Sequence, residues 1–279
     1  MLRLAPRACS SVGRVQVGGT TVLLTGASGG IGQAVARTLR ARGARVLLSG
    51  RRAGALEQLR AELGGGAEVL EADLGDAAGA AGLAARAGAV DVLVANAGLP
   101  ASGPLVSFTP GEIDRALDVN LRAPIQLTRA LVPGMVERGR GHVVLVSSLA
   151  GKVASVGSAV YSATKFGLRG FAAGLREDVH GSGVGVTVVF PSFIRDAGMY
   201  AQTEVELPRW VGTRTPDDVA RAVVRGIETG KAEIDVAPLS LRLGAVASAV
   251  APRSAARLQR RLGSVAIAEA IAREQRAKR

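Results

Sequence analysis

The stretch Thr25-Gly-Ala-Ser-Gly-Gly-Ile-Gly32 follows the first predicted strand and opens the first predicted helix. Gly26, Gly30 and Gly32 permit a tight turn without side chains that would block a pyrophosphate, and the start of the helix offers unpaired N–H groups to that anion. The chain has 37 glycines, so the position between strand and helix, more than the glycines themselves, predicts a dinucleotide-binding turn. Because no Lys-Ser/Thr pair follows the last glycine, the stretch is not a P-loop.

Short apolar runs alternate with longer helical segments on both sides of this turn. Helices are predicted near 30–42, 53–63, 76–87, 109–137, 158–181 and 215–230, and the Thr-Pro pairs at 109–110 and 215–216 are typical of helix starts. The alternation predicts an α/β fold whose parallel sheet is doubly wound. Seven runs have the continuous, β-branched apolar character of strands buried on both faces: Thr21–Thr25, Arg45–Ser49, Glu68–Ala72, Asp91–Ala95, His142–Ser147, Val184–Phe190 and Glu233–Ala237.

The chain divides into three parts around this single domain. Residues 1–19 are expected to form a flexible N-terminal extension, and residues 20–238 the domain itself. Within the domain, the irregular and polar stretch 193–214 is typical of a lid over a site. Residues 239–279 form a basic tail, predicted to be helical, with nine basic and two acidic residues. Most of the net charge of +12 therefore belongs to the two ends of the chain.

Composition narrows the classes of function. One cysteine, Cys9, allows no intramolecular disulfide and fits a reducing compartment, so we expect a cytoplasmic protein. The two histidines, His142 and His180, lack companions with ligand-like spacing, and we expect no metal site. No apolar run approaches the roughly 20 residues that cross a bilayer. The central part of the chain is nearly charge-balanced, and we expect no nucleic-acid partner.

Tyr161 and Lys165 lie four residues apart in Tyr-Ser-Ala-Thr-Lys, in a chain with only two tyrosines and four lysines. On a helix this spacing places the phenol and the ammonium on one face. A phenol titrates near 10, and a nearby positive charge favours its ionised form. The pair is therefore a candidate acid/base centre; a surface contact between two exposed side chains is the alternative.

The second predicted strand is followed by Gly50-Arg51-Arg52. A site for NAD commonly has a carboxylate here, which binds the ribose 2′-hydroxyl. Two guanidinium groups suit a 2′-phosphate instead, so the sequence favours NADP over NAD, although NAD is not excluded. An ordinary basic turn before the next helix is the alternative.

Five ordered motifs resemble those of the short-chain dehydrogenase/reductase family. They are residues 25–32, Asp73-Leu74, Ala95-Asn-Ala-Gly98, Ser147-Ser148 and Tyr161-Ser-Ala-Thr-Lys165, and the resemblance covers about Thr20 to Pro238. It implies a Rossmann-type fold with a catalytic set of Asn120, Ser148, Tyr161 and Lys165. The cofactor contacts that it implies are Gly26, Ser28, Gly30, Ile31, Gly32, Arg51, Arg52, Asp73, Leu74, Asn96, Ala97, Gly98, Tyr161, Lys165, Pro191, Ser192 and Ile194.

The resemblance also implies a role for each catalytic candidate. Tyr161 would give its proton to the substrate oxygen in reduction or take one in oxidation, and Lys165 would hold the nicotinamide ribose and lower the pKa of the phenol. Ser148 would orient the carbonyl; its neighbour Ser147 is the competitor, because alternation along a strand lets only one of the two face the cleft. Asn120 would position a water that links Lys165 to solvent.

The chain departs from the family pattern at three places. Ala95 stands where an Asn is usual, Ser192 where a Gly is usual, and Asp196 where the family often has a Thr that contacts the nicotinamide amide. These changes concern the grip on the cofactor, while the four catalytic candidates are all present.

The function expected from these features is an NADP-dependent carbonyl reductase or alcohol dehydrogenase, whose physiological direction the sequence leaves open. The residues expected to line the pocket suggest an apolar or lipid-like substrate. A cofactor-binding regulator or scaffold without turnover is the alternative, and an isomerase or dehydratase a more distant one. The residues expected to line the pocket are Leu99, Leu105, Phe193, Met199, Leu207 and Trp210.

Two further surfaces concern partners. The fourth and fifth predicted helices commonly form the dimer face in this family, so the resemblance implies a homodimer or homotetramer. In the tail, Leu258, Leu262 and Val265 recur at helical spacing beside arginines. Such a helix could lie on an anionic membrane, pack on the core or contact a neighbouring subunit, and the sequence leaves these alternatives open.

Overall fold

Seven parallel strands form one sheet in the computed structural model, which describes residues 13–76, 78–197, 211–261 and 264–275. The strand order is β3-β2-β1-β4-β5-β6-β7, the order of a doubly wound sheet whose direction of winding reverses between β1 and β4. This confirms the predicted fold class, and each predicted strand end lies within one residue of the observed end. The strands are β1 Thr21–Thr25, β2 Arg45–Gly50, β3 Ala67–Glu71, β4 Val92–Ala95, β5 Gly141–Val146, β6 Val184–Pro191 and β7 Glu233–Val236.

Helices cover both faces of the sheet. The predicted starts at Thr109 and Thr215 are confirmed, because each threonine accepts a backbone N–H in a capping box with Glu112 or Asp218. The helix predicted over 109–137 is interrupted by a π-turn at Asp118–Arg122. The helices are α1 Gly30–Ala41, α2 Ala53–Leu63, α3 Gly79–Ala87, α4 Pro110–Leu117, α5 Ala123–Glu137, α6 Ala159–Asp178, α7 Pro216–Thr229, α8 Leu239–Val250, α9 Pro252–Arg261 and α10 Ser264–Gln275.

Alternating residues of each central strand feed two apolar layers. In β1, Leu24 packs with α1 and α7 on one face, whereas Leu23 packs with α3, α5 and α6 on the other. Both leucines are fully buried. Because all seven strands are parallel, their carboxyl ends meet at one edge of the sheet. This edge is where ligands bind in folds of this kind.

The N-terminal segment differs from the expectation of a flexible extension. Residues 1–12 lie outside the described residues, but 13–19 pack against the sheet and α7. Val15 and Val17 are buried, and the Val15 amide donates to the Ile227 carbonyl at 3.0 Å. A Cβ on Gly13 would lie 2.4 Å from the Gly185 nitrogen. For residues 13–19 the prediction of flexibility is therefore wrong, because alternate valines find an apolar layer to enter.

The tail is helical, as expected, and it packs on the domain. Leu241 and Ala245 of α8 contact Leu149 and Ala237 at the carboxyl edge of the sheet. The three alternatives for the tail concern the segment of Leu258, Leu262 and Val265; Leu262 and the side chain of Leu258 lie outside the described residues, so these alternatives stay open. Within the described ranges, none of the helices has the length and apolar character that crossing a bilayer needs.

Candidate active site

The glycine-rich turn between β1 and α1 needs glycine for its geometry. Gly26 has a φ of 66°, and a Cβ there would lie 2.8 Å from the Ala97 Cα atom. A Cβ on Gly32 would lie 2.2 Å from the Gly26 carbonyl oxygen. The N-cap residue of α1 is Gly29, which has no side chain to cap the helix, so the first N–H groups and the positive dipole end can face an anion. The turn therefore fits a pyrophosphate group.

Arg51 and Arg52 follow β2 beside this turn, and both are exposed. The Arg52 guanidinium donates to the Ser28 carbonyl, and its Nε lies 3.4 Å from the Ser28 hydroxyl. Part of its hydrogen-bonding capacity thus holds the turn, which the sequence did not indicate. Among the described residues, no hydrogen bond joins the Arg51 side chain to the turn. The two guanidiniums nevertheless give this end of the cavity a positive charge.

The loops after β3 and β4 form the next wall. Asp73 is exposed and accepts from the Gly75 amide, while Leu74 is buried. Asn96 donates to the Thr25 carbonyl at 3.1 Å, and the Thr25 hydroxyl accepts from the amides of Asn96 and Ala97 at 3.0 Å each. Sequence reasoning missed Thr25. Its hydroxyl joins the ends of β1 and β4 and so positions the loop that contains Gly98.

The two serines after β5 face different ways. The Ser147 hydroxyl is buried and donates to the Lys165 carbonyl at 3.0 Å. The Ser148 hydroxyl is a hydrogen-bond partner of the Tyr161 phenol. The geometry therefore favours Ser148 over Ser147 as the serine that meets a substrate carbonyl next to Tyr161.

Tyr161 and Lys165 lie in the first turns of α6 and share one face of that helix. The Lys165 Nζ lies 5.6 Å from the centre of the Tyr161 ring, and it donates to the Val146 carbonyl at 3.2 Å. Lys165 is buried, with 3% of its surface exposed. The pair is thus an interior feature of the cavity, and the alternative of a surface contact is wrong.

The pKa values of the pair differ from the expectation. Burial raises the pKa of Tyr161 to about 12, against an opposing hydrogen bond from Ser148, although part of the side chain is open to the cavity. Burial lowers the pKa of Lys165 to about 8. Both shifts arise because a poorly solvated environment disfavours the charged forms. The pKa of the phenol is therefore raised by burial in this structure, and not lowered by Lys165 as expected.

Asn120 lies in the π-turn and is fully buried. Its side chain donates to the Leu99 carbonyl at 2.9 Å and accepts from the Leu99 amide at 2.6 Å. The cavity lining includes Leu99 but not Asn120. The structure thus shows Asn120 fixing a loop of the wall, and its expected role in holding a water stays a prediction.

The segment after β6 closes another side. Ser192 donates both its amide and its hydroxyl to the Val236 carbonyl, and Ile194 is buried. Asp196 has a φ of 66° and is exposed, with an ion pair to Arg195 at 3.4 Å. Asp196 is absent from the cavity lining, unlike Ile194.

One cavity of about 900 Å³ joins all these walls. All seventeen residues expected to contact the cofactor line it, together with Ser148, Leu99 and Phe193. Leu105 is 57% exposed and does not line it, and the expected Met199, Leu207 and Trp210 lie outside the described residues.

The C-terminal helices supply a wall that sequence reasoning missed. Leu241, Ala245 and Ser248 of α8 and Ala268 and Ile271 of α10 line the cavity. The spacing of the three α8 residues, four and then three, was the available signal for a face turned inward. This part of the wall is mainly apolar.

Comparisons with known proteins agree with this geometry. The family model for short chain dehydrogenase matches residues 20–206. The ketoacyl reductase HetN of Nostoc sp. is 36% identical over 225 residues, which cover 78% of each chain. The NADP-dependent 3-hydroxy acid dehydrogenase YdfG of Salmonella typhi is 36% identical over 220 residues, covering 72% of this chain and 86% of that protein.

Solved structures show the same likeness. The structure of a short-chain dehydrogenase from Sphingobium yanoikuyae in complex with NADPH is similar to this one, with a TM-score of 0.73 and 30% sequence identity. The match covers 82% of this chain and 93% of that one. The fold, the cavity and these relatives agree, so the chain belongs to the short-chain dehydrogenase/reductase family and is an oxidoreductase acting on CH–OH or C=O groups.

Proposed function

We propose that this protein is an NADP-dependent reductase of an apolar carbonyl compound. The observation that carries the proposal is that Ser148, Tyr161 and Lys165 line the same cavity as the glycine-rich turn. A proton donor, a carbonyl-orienting hydroxyl and a pyrophosphate cradle thus share one space, as reduction of a carbonyl by a nicotinamide requires.

Side chains of the protein would bind and protonate the substrate oxygen. NADPH, when bound, supplies the hydride that the carbonyl carbon accepts. Ser148 would hydrogen-bond the carbonyl oxygen, and Tyr161 would donate its phenolic proton to that oxygen as negative charge develops there. Lys165 would hold the ribose through its ammonium group. The hydride and the proton together convert C=O into CH–OH.

The raised pKa of Tyr161 supports the direction of reduction. With a pKa of about 12 the phenol carries its proton at neutral pH and is ready to donate it. In the oxidative direction the phenolate would be favoured by the Ser148 hydrogen bond and by the positive charges of Lys165 and of an oxidised nicotinamide ring. This protonation state, together with the ketoacyl reductase among the relatives, supports our proposal of carbonyl reduction as the principal activity.

The preference for NADP rests on Arg51 and Arg52 at the turn, and on the NADP named for YdfG and the NADPH bound in the Sphingobium structure. We expect Arg51→Ala to raise the KM for NADPH at least roughly tenfold through loss of a charged phosphate contact, and to leave the KM for NADH almost unchanged. Arg225→Ala, an exposed arginine on α7, is the matched control. Equal effects on both cofactors would contradict the assignment.

The substrate preference rests on the apolar wall that α8 and α10 add to the cavity. A panel of short- and long-chain aldehydes, ketones and 3-oxoacyl thioesters, followed by NADPH oxidation, tests it. The thioesters belong in the panel because one relative is a ketoacyl reductase. We expect kcat/KM to rise with chain length. A preference for small polar carbonyls would contradict the proposal.

We also propose a cytoplasmic homodimer or homotetramer. Helices α5 and α6 include the segments that commonly form the family's dimer face, and Phe166 on α6 is 41% exposed. Light scattering coupled to gel filtration should give a mass of two or four chains, and Phe166→Asp should reduce it.

A further inference from the structure

Helix α8 has two apolar faces that point in nearly opposite directions. One face, with Leu241, Ala245 and Ser248, lines the cavity. The opposite side carries Leu239, Leu243, Val246 and Val250, which recur at spacings of four, three and four and are exposed by 66%, 60%, 62% and 81%. We call these four residues the outer face of α8. Four large apolar side chains aligned in water are unusual and mark an interaction surface.

The segment that carries the outer face, together with the helix that follows it, is basic. The sequence from Leu239 to Arg261 contains five arginines and no acidic residue. On α9, which packs against α8, Arg253, Arg257 and Arg260 are exposed and line one shallow depression. Arg242 lies on α8 beside the outer face and is 51% exposed, with a long ion pair of 3.7 Å to Asp235.

We propose that the outer face of α8 docks onto the surface of an anionic lipid bilayer. Its apolar side chains would enter the boundary between head groups and acyl chains, and the arginines of α8 and α9 would meet lipid phosphates. A helix of 12 residues is about 18 Å long, so it lies in the plane of the bilayer and does not span it. The charge selects this occupant, because two copies of the basic segment would repel each other.

This inference goes beyond the proposed function, since binding to lipid needs no turnover. It has one consequence for the cavity. The helix that would touch the bilayer is also a wall of the cavity, so docking would place the cavity next to membrane-dissolved apolar molecules. That consequence alone rests on the proposed function.

The test is co-sedimentation of the full-length protein with vesicles. Phosphatidylcholine vesicles with added phosphatidylglycerol should bind the protein, pure phosphatidylcholine should bind it less, and salt should weaken the binding because it screens the arginines. The double variant Leu243→Ser/Val246→Ser should lower the partition coefficient roughly tenfold or more, because two apolar side chains no longer enter the lipid. Circular dichroism and thermal unfolding verify that the variant is folded.

The matched control is Val106→Ser, which removes a 96% exposed valine outside the C-terminal helices and should bind vesicles as the parent does. Absence of binding to anionic vesicles would overturn the proposal. Binding that the double variant retains would also overturn it, because attraction would then be electrostatic only. Sedimentation equilibrium without vesicles is the last arm: a parent oligomer that the double variant dissociates would show that a second copy covers this face.

Discussion

The buried imidazole of His142 should make the stability of this fold depend on pH. His142 is fully buried in β5, with Nδ1 at 3.2 Å from the Gly13 carbonyl oxygen and Nε2 at 2.9 Å from the Thr187 hydroxyl. Burial lowers its pKa from 6.5 to about 4. Between these two values the unfolded chain binds a proton that the folded chain excludes, so stability falls as the pH falls through this window.

The size of the effect follows from the two pKa values. Linkage gives a loss of about 2 kcal/mol at pH 5 and a limiting loss of about 3 kcal/mol at lower pH, relative to pH above 7. A domain of ordinary stability has about 5–15 kcal/mol in total, so the loss is readily measured. Urea unfolding at pH 7.5 and pH 5 gives the two free energies of unfolding.

Two variants isolate the imidazole from other titrating groups. His142→Asn should be less stable than the parent at pH 7.5, because it disturbs the contacts of the ring with the Gly13 carbonyl and the Thr187 hydroxyl. Between pH 7.5 and pH 5, however, its free energy of unfolding should fall by about 2 kcal/mol less than that of the parent. His180→Asn, which changes the exposed histidine, should keep the parent's full loss. Equal losses of stability by the parent and by His142→Asn between the two pH values would refute the assignment of this pH dependence to His142.

Three further predictions concern the site. Gly32→Ala should weaken NADPH binding at least roughly tenfold in a fluorescence titration, because its Cβ would lie 2.2 Å from the Gly26 carbonyl oxygen. The control Gly54→Ala, whose Cβ would meet nothing within 4 Å, should leave binding unchanged. A similar loss of affinity in both variants would count against the glycine-rich turn as the pyrophosphate site. Ser148→Ala should lower kcat about 10²-fold with an unchanged NADPH Kd, and an unchanged kcat would remove Ser148 from the mechanism. Leu241→Trp should raise the KM of long-chain carbonyls and spare short ones, because it narrows the apolar wall; a uniform effect on both would contradict the assignment.

Much of the fold was predictable because its signals are local. Buried parallel strands are continuous runs of β-branched residues, and helix starts at Thr109 and Thr215 have the sequence of capping boxes. The motif residues also converge on one cavity, because parallel strands bring their carboxyl ends to one edge.

Other features depend on contacts between distant residues and have no local signature. Gly13 packs against Gly185, 172 residues further along the chain, and Leu241 of α8 packs against Leu149, 92 residues before it. The sequence of the π-turn at Asp118–Arg122 resembles that of an ordinary α-helix, so the turn cannot be predicted from it. Only the structure shows the hydrogen bond between Asn120 and Leu99 that accompanies the turn. The spacing of Tyr161 and Lys165 shows that they are neighbours but not that both are buried.

Proton donation by Tyr161 is the central step of the NADPH-dependent carbonyl reduction that we propose. The decisive measurement is the rate of NADPH oxidation, with alcohol formation, by the parent and by Tyr161→Phe on the best carbonyl of the panel. We predict turnover by the parent and a fall of about 10²–10⁴-fold in kcat for the variant, with NADPH binding retained. Absence of carbonyl reduction by the parent, or a variant as fast as the parent, would contradict the account.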